Sequence, residues 1–531
     1  MKIIFVAFSF LFVIAFQQLH AQDIEVRWGA PNKVSRGSLP SDVLGKDESG
    51  FYILKGVGVN TSLEKFDLNM NWLWTKELDV YLTKKDKTIF ENIIISKTKI
   101  IVFSSLYDGK TDTKRLFASY ISKEGLLDPK LYEVNSFDNL ASKKSVTYDV
   151  TLSEDEKSIL IFSNFKEKNN EKEKFHYKII DENFLEKGMS FIELPYKGSN
   201  TTIIDYIIDN ASNIHLVYSV DLKREELNNK SNDDKIDFNY YILSYYTATK
   251  EYKEYDLRVG DNKITGLSII IDKESRFMYV PGFYSEKKLN ALAGTIISKI
   301  DLLNKKVVYA KQKEFDAAFL AVVYNKPLDE EVSDPNKPEK KKPKATDQLY
   351  NYDIVDLFVN DKEEVVVISE KYWVNVVTTT TTNANGGTTT RTTYYYYYNN
   401  VMVTKFNSSG ERAWCSNIPK FQVSTDDYGF YSSIGVFEHK DIVYIFYNDN
   451  PVNGTEFSPK QYRTKNPQKS QVALISIDGD GNLKKRVLMP APDKGKGIAT
   501  RPKFSAQVDD NQVLLLGYLY SEYKIGKLEL K

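Results

Sequence analysis

The chain has 531 residues, 42% of them apolar, with 72 Lys plus Arg balanced by 72 Asp plus Glu. A zero net charge gives no general attraction to nucleic acid or anionic lipid, so any partner is recognised locally. A single cysteine, Cys415, excludes an intramolecular disulfide framework and leaves stability to the core.

The opening "MKIIFVAFSFLFVIAFQQLHAQ" places Lys2 before an apolar run from Ile3 to Phe16 and a small residue at Ala21. This is the pattern of a secretory signal peptide, residues 1–21, with the mature chain starting at Gln22. The run is too short to span a bilayer, which takes about 20 apolar residues, and no later stretch is long enough. The expectation is an exported, non-membrane-spanning protein, periplasmic or extracellular.

Downstream, residues 22–531 read as one domain built on a recurring layout of apolar strand, short gap, strand with a polar turn, and aromatic or aliphatic strand. "FYILKGV", "SLEKFDLNMN" and "WLWTKEL" give the first copy within 51–78. "IIVFSSLYDG" with "RLFASYISKEGLL" follows, then weaker copies at "SILIFSN" and "NIHLVYSV", then "FMYVPGFYS" with "GTIISKIDLLNKKVVY". Next, "VVVISEKYW" pairs with "VMVTKFNSSGERAW", and "IVYIFYND" with "VALISIDGDGNLKKRVL". A partial copy, "QVLLLGYLYSEYKIGKLEL", ends the chain and is completed by "IEVRWG" from the mature N-terminus. Strand units recurring at roughly 45 to 85 residues, with Asn, Asp, Gly and Ser at their turns, predict an all-β fold, a β-propeller of seven or eight blades. Residues 325–348, with four prolines and mixed charge, read as a flexible surface loop between units.

The run "VVTTTTTNANGGTTTRTTYYYYYNN" at 376–400 folds naturally about Asn385-Gly386, a strong two-residue turn signal. That register sets Thr382 against Thr389, Asn375 against Tyr396, Trp373 against Tyr398, Ile368 against Val403 and Val365 against Phe406. The run therefore continues one blade's own hairpin, 365–406, about 50 Å beyond Lys371 at about 3.3 Å per residue. Trp373, Tyr394, Tyr396 and Tyr398 then share one face, an aromatic row suited to a protein or glycan partner. The alternative is an expanded loop held straight by Thr and Tyr.

The strand pair with its "K-F-D/N-x-x-G-x-x-x-W" turn, here Lys405, Phe406, Asn407, Gly410 and Trp414, resembles the repeats of exported bacterial β-propellers of the PQQ-like and related multi-bladed groups. Lys65, Phe66, Asp67 and Trp74 form a second, less regular version. The resemblance implies architecture; such propellers include enzymes and pure binding scaffolds alike.

Catalytic signatures are sparse. His176, His215 and His439 lie in separate units without metal-ligand spacing and read as strand residues. Cys415, at a strand end after Trp414, reads as a buried thiol. "DGDGN" at 478–482 lacks the glycine a calcium loop needs at its sixth position, Leu483, and reads as a turn. No serine elbow, phosphate loop or dinucleotide fingerprint occurs. Asp353, Asp356 and Glu370 are close in sequence at the head of the hairpin-bearing unit, where acidic residues can line a central channel and act on a glycoside. No cofactor or metal is implied. The sequence favours a non-catalytic propeller that binds a protein or glycan through its loops and hairpin. A sugar-active or peptide-active enzyme using channel carboxylates is the alternative, and a structural component of a cell-envelope assembly a third.

Overall fold

In a computed structural model, the chain is described except for residues 1–23, 35–38, 57–59, 80–81, 83–85, 166–170, 222–237, 258–259, 261, 287–290, 325–348, 350, 383–387, 459–460, 465, 493–496 and 520. The signal peptide, the charged loop at 325–348 and the Asn385-Gly386 turn lie outside the described residues. No described helix is long and apolar enough to cross a membrane.

The described residues form eight antiparallel sheets, each a meander of consecutive strands. Blades 1 to 8 take residues 40–77, 89–137, 146–197, 201–255, 263–314, 352–425, 435–489 and 499–530. The last is completed by Ile24–Trp28, which runs antiparallel to Glu522–Leu530 with Ile24 opposite Leu530 and Trp28 opposite Gly526. Pairing the two ends of the chain inside one sheet closes the ring, so no blade is left with an open neighbour. First strands of successive sheets lie side by side, as between Ile89–Ile95 and Val146–Leu152, and between Pro40–Asp47 and Ala506–Asp509 across the closure. The fold is a β-propeller with the first strands around its axis.

The strand sequences explain the layering. Second strands such as Ile159–Phe165 and Ile214–Asp221 are near-continuous apolar runs because both faces are covered by neighbouring blades. Outermost strands such as Trp72–Glu77 are largely exposed and carry mixed residues. Apolar clusters fill the spaces between blades: Phe103 and Leu116 meet Tyr148 and Ile161 between blades 2 and 3, and Phe51, Ile53 and Phe66 meet Leu514, Leu516 and Ile525 across the closure. A short helix, Ala317–Tyr324, follows blade 5 and sets Phe319 and Val323 against Phe283, Phe315 and Met402. It is too short to show a helical period in the sequence.

The Lys-Phe-turn-Trp motif proves to be an inter-blade clamp. Lys405 and Trp414 are partners across strands of blade 6; Lys405 Nζ and Trp414 Nε1 donate to the same carbonyl, Gly479 O of blade 7, at 3.4 and 3.0 Å. Gly481 in that turn holds a left-handed backbone (φ 84°) so close that an added Cβ would sit 2.7 Å from the Trp414 ring, which leaves only glycine there. Lys65 and Trp74 of blade 1 repeat the clamp on Lys123 O of blade 2. Asn407 shapes its own turn by accepting from the Ser409 and Glu411 amides, and Asp478 of "DGDGN" does the same for Asp480 and Asn482.

Candidate functional site

A cavity of about 440 Å³ opens beside the axis, walled by the first strands of blades 6 and 7 and by the 502–505 segment of blade 8. Its polar lining is Asp353, Asp356, Glu370, Tyr372, Tyr398, Ser433, Lys503 and Ser505. In a regular strand, residues three apart point to opposite faces. Here Val355 is an extra residue: Ile354 faces Ser369 but Asp356 faces Ile368. The β-bulge reverses the alternation after Val355 and turns both Asp353 and Asp356 into one cavity.

The three carboxylates have distinct surroundings. Asp356 Oδ1 accepts from the Leu357 amide at 2.8 Å, yet burial among apolar neighbours still pushes its carboxyl up to about 6. Asp353, the cross-strand partner of Glu370, is raised by burial and then by the Glu370 charge. Glu370 is engaged already: Lys420 Nζ donates to Oε1 at 2.6 Å, and the Ser433 hydroxyl donates to Oε2. Lys420 also donates to Tyr398 O and Gln422 Oε1, both at 2.9 Å. Both ions of the pair are fully buried, and these added hydrogen bonds offset their desolvation. Ser433 holds a left-handed backbone (φ 72°), rare for serine. Its amide donates to Gln422 Oε1, which ties this strained residue to the network.

Bulges recur at the same place in other blades, between Pro40 and Asp42, Phe90 and Asn92, Ile203 and Asp205, and Ile264 and Gly266. Asn92, Asp149 and Asp205 each accept from the next amide as Asp356 does. Links then run from blade to blade: Asn92 donates to Asp149 at 3.2 Å, the Tyr206 hydroxyl to Asp149, and the Ser268 hydroxyl to Asp205 at 3.0 Å. Burial raises Asp42 and Asp205 as well. A second cavity, of about 430 Å³, has Asp149 and Asp205 in its wall. The sequence reading missed this series. Its signal was "SDV", "ENI", "YDV", "IDY" and "VDL", a polar residue before an aliphatic or aromatic one at the head of blades 1 to 4 and 6.

The aromatic row on the hairpin is corrected by register. Pairing runs Val365 to Phe406 and Ile368 to Val403, but an extra residue at Asn399-Asn400, opposite Lys371, shifts everything beyond it by one residue. Trp373 therefore faces Tyr397, Asn375 faces Tyr395 and Thr382 faces Thr388. Trp373 stacks on Tyr397 with ring centroids 4.5 Å apart, on the face opposite Tyr394, Tyr396 and Tyr398. Of those three only Tyr394 is exposed, at 43%; Tyr396 and Tyr398 are 7% and 6% exposed. Tyr396 packs toward Tyr428, and Tyr398 against Tyr372 in the cavity wall.

The histidines lie in strands. His176 sits between Phe137 and Phe191, and burial lowers it to about 4. His215 contacts Ser244 and Asp209, and His439 contacts Asp510 O. Cys415, half-buried beside Thr404, has its thiol pushed by burial up to about 11, which disfavours the nucleophilic thiolate.

No family model and no curated protein matches the chain. Among solved structures it is similar to Sqt1 of Saccharomyces cerevisiae, at 7% identity over 93% of this chain and 98% of that one, with a TM-score of 0.39. The β-propeller domain of the Trilobed protease from Pyrococcus furiosus gives 12% identity over 86% and 98%, with a TM-score of 0.32. An apocarotenoid oxygenase from Synechocystis gives 7% over 70% and 72%, with a TM-score of 0.30. At such scores the architecture rests on the strand pairing, and no activity transfers from these proteins.

Proposed function

We propose that the protein is an exported β-propeller that binds a polyhydroxylated ligand, a glycan, in the axial cavity beside Asp353, Asp356, Tyr372 and Tyr398, without acting on it chemically. Export rests on the N-terminal pattern. The observation that carries the binding site is the bulge at Val355, which brings two carboxylates without an ion pair among the described residues into one cavity. Carboxylate oxygens accept from sugar hydroxyls, and an aromatic pair in the wall offers apolar ring faces to a pyranose. Glu370, held by Lys420 and Ser433, serves to position the wall.

Calorimetric titration with a panel of oligosaccharides tests this. Wild-type protein is expected to bind one class with a defined stoichiometry, and Asp353→Asn with Asp356→Asn to weaken it about tenfold, about 1.4 kcal/mol. Binding unaffected by the double change would move the site elsewhere.

One observation favours a second reading, hydrolysis of a glycoside. A carboxyl near 6 suits a general acid, and Asp356 would protonate the glycosidic oxygen while Asp353 takes a proton from the attacking water. Release of new reducing ends by wild type, abolished in Asp356→Asn while binding persists, would establish it.

A further inference from the structure

We infer that the projecting hairpin of blade 6 joins two copies of the chain, edge to edge, through residues 373–382. The strand Val365–Thr382 is paired on its outer side only as far as Tyr352 opposite Lys371, and the Tyr372 amide donates to Asn351 O as the last anchor. Beyond this point no strand among the described residues lies along its outer edge, while its inner side stays paired with Thr388–Phe406 to Thr382. The exposed edge is "WVNVVTTTTT", ten residues without charge, proline or glycine, about 33 Å of strand.

Edges of this length and composition are normally blunted by a charge, a proline or a bulge. The hairpin's other edge is blunted: the Tyr394 amide donates to Asp426 Oδ1 at 2.8 Å, the Asp426 amide returns to Tyr394 O at 2.9 Å, and Arg391 lies 3.8 Å from the same carboxylate. Among the described residues, one edge is guarded and the other is open.

The open edge is suited to itself. An isologous antiparallel contact needs a strand complementary to its own reverse, and five consecutive threonines meet that condition wherever the two-fold axis falls among them. Thr opposite Thr is the pairing the hairpin already makes, with Oγ1 atoms 3.3 Å apart at Thr378 and Thr392 and at Thr380 and Thr390. With no charge from Trp373 to Thr382, nothing repels across the axis. Projection from the end of the blade leaves room for two discs, and the axial cavity takes no part.

Sedimentation velocity of the purified chain from about 1 to 100 µM is expected to show a monomer–dimer equilibrium, and Val376→Lys with Thr380→Lys to give monomer throughout. Single cysteines at 376 to 380 in a Cys415→Ala background, oxidised at dimeric concentrations, are expected to cross-link at one or two adjacent positions; this arm decides the matter should the lysine variant misfold. A wild-type monomer at the highest concentration, a dimer that survives in a folded lysine variant, a dimer that no cysteine traps, or a ladder of higher oligomers would each overturn the pairing.

Discussion

Blade 6 contains two hairpins in one. Its inner half, Val365 to Glu370 against Val401 to Phe406, pairs in the register that apolar alternation demands, with Ile368 and Val403 fully buried. Past Val374 and Tyr396 the same two strands continue as an outer half of largely exposed residues, where threonine meets threonine. Burial makes a slip costly in the first half, because every apolar side chain would turn outward; nothing comparable holds the second. The bulge at Asn399-Asn400, opposite Lys371, lies just inside that boundary, and the one-residue shift there costs the inner half nothing.

The largest test of the contrast is Lys420, whose side chain holds Glu370 at the top of the inner half. Lys420→Ala leaves a buried carboxylate unpaired and is expected to cost about 3 to 5 kcal/mol in denaturant unfolding. Replacing both partners by apolar residues should cost less. Similar losses from the single and double changes would mean the pair is net stabilising.

Next come two tyrosines on one face, four residues apart. Tyr398, 6% exposed against Tyr372, should lose about 3 kcal/mol on change to Ala. Tyr394, 43% exposed, should lose about 0.5 kcal/mol or less. Equal effects would place the boundary between the two halves further out than Tyr396.

A smaller effect belongs to Asp356 and depends on pH. Its folded carboxyl titrates near 6, above the ordinary 3.8, so the folded chain binds the proton more tightly than the unfolded one. That contribution is fully present below about 3.8 and is lost as pH rises through about 6. Asp356→Asn, which keeps an acceptor for the Leu357 amide, should therefore be more stable than wild type by about 1 to 2 kcal/mol at pH 8, allowing for partial solvation. The difference should vanish near pH 4. An Asn variant no more stable at pH 8 than at pH 4 would show that the carboxylate is well solvated.

The smallest change is expected far out on the arm, where Thr380→Ala removes one cross-strand hydroxyl contact and should cost less than about 1 kcal/mol.

The sequence revealed different things at different distances from the core. The clamp of Lys405, Phe406, Asn407, Gly410 and Trp414 was legible because turn chemistry and a repeated aromatic are local properties. Its purpose was not, because the carbonyl it grips, Gly479 O, belongs to the next blade. The trio Asp353, Asp356 and Glu370 could be nominated from closeness in sequence. That Asp353 and Asp356 share a cavity follows from an extra residue at Val355, and that Glu370 is occupied follows from Lys420, fifty positions away. Trp373 and the tyrosines Tyr394, Tyr396 and Tyr398 do not share a face because the extra residue at Asn399-Asn400 inverts the alternation of the tyrosine strand beyond it, and its position is fixed by pairing with the neighbouring strand.

By itself, then, the order of residues determined the strand units, their turns and the extended hairpin, since β-propensity, glycine and asparagine chemistry and continuous apolar runs act over a few residues. Closure of the ring by Ile24–Trp28, the phase of alternation past each bulge, and the cavity-lining carboxylates at Asp149, Asp205 and Asp356 were decided only by tertiary structure. Those features depend on which blade stands beside which, and on burial that distant segments supply.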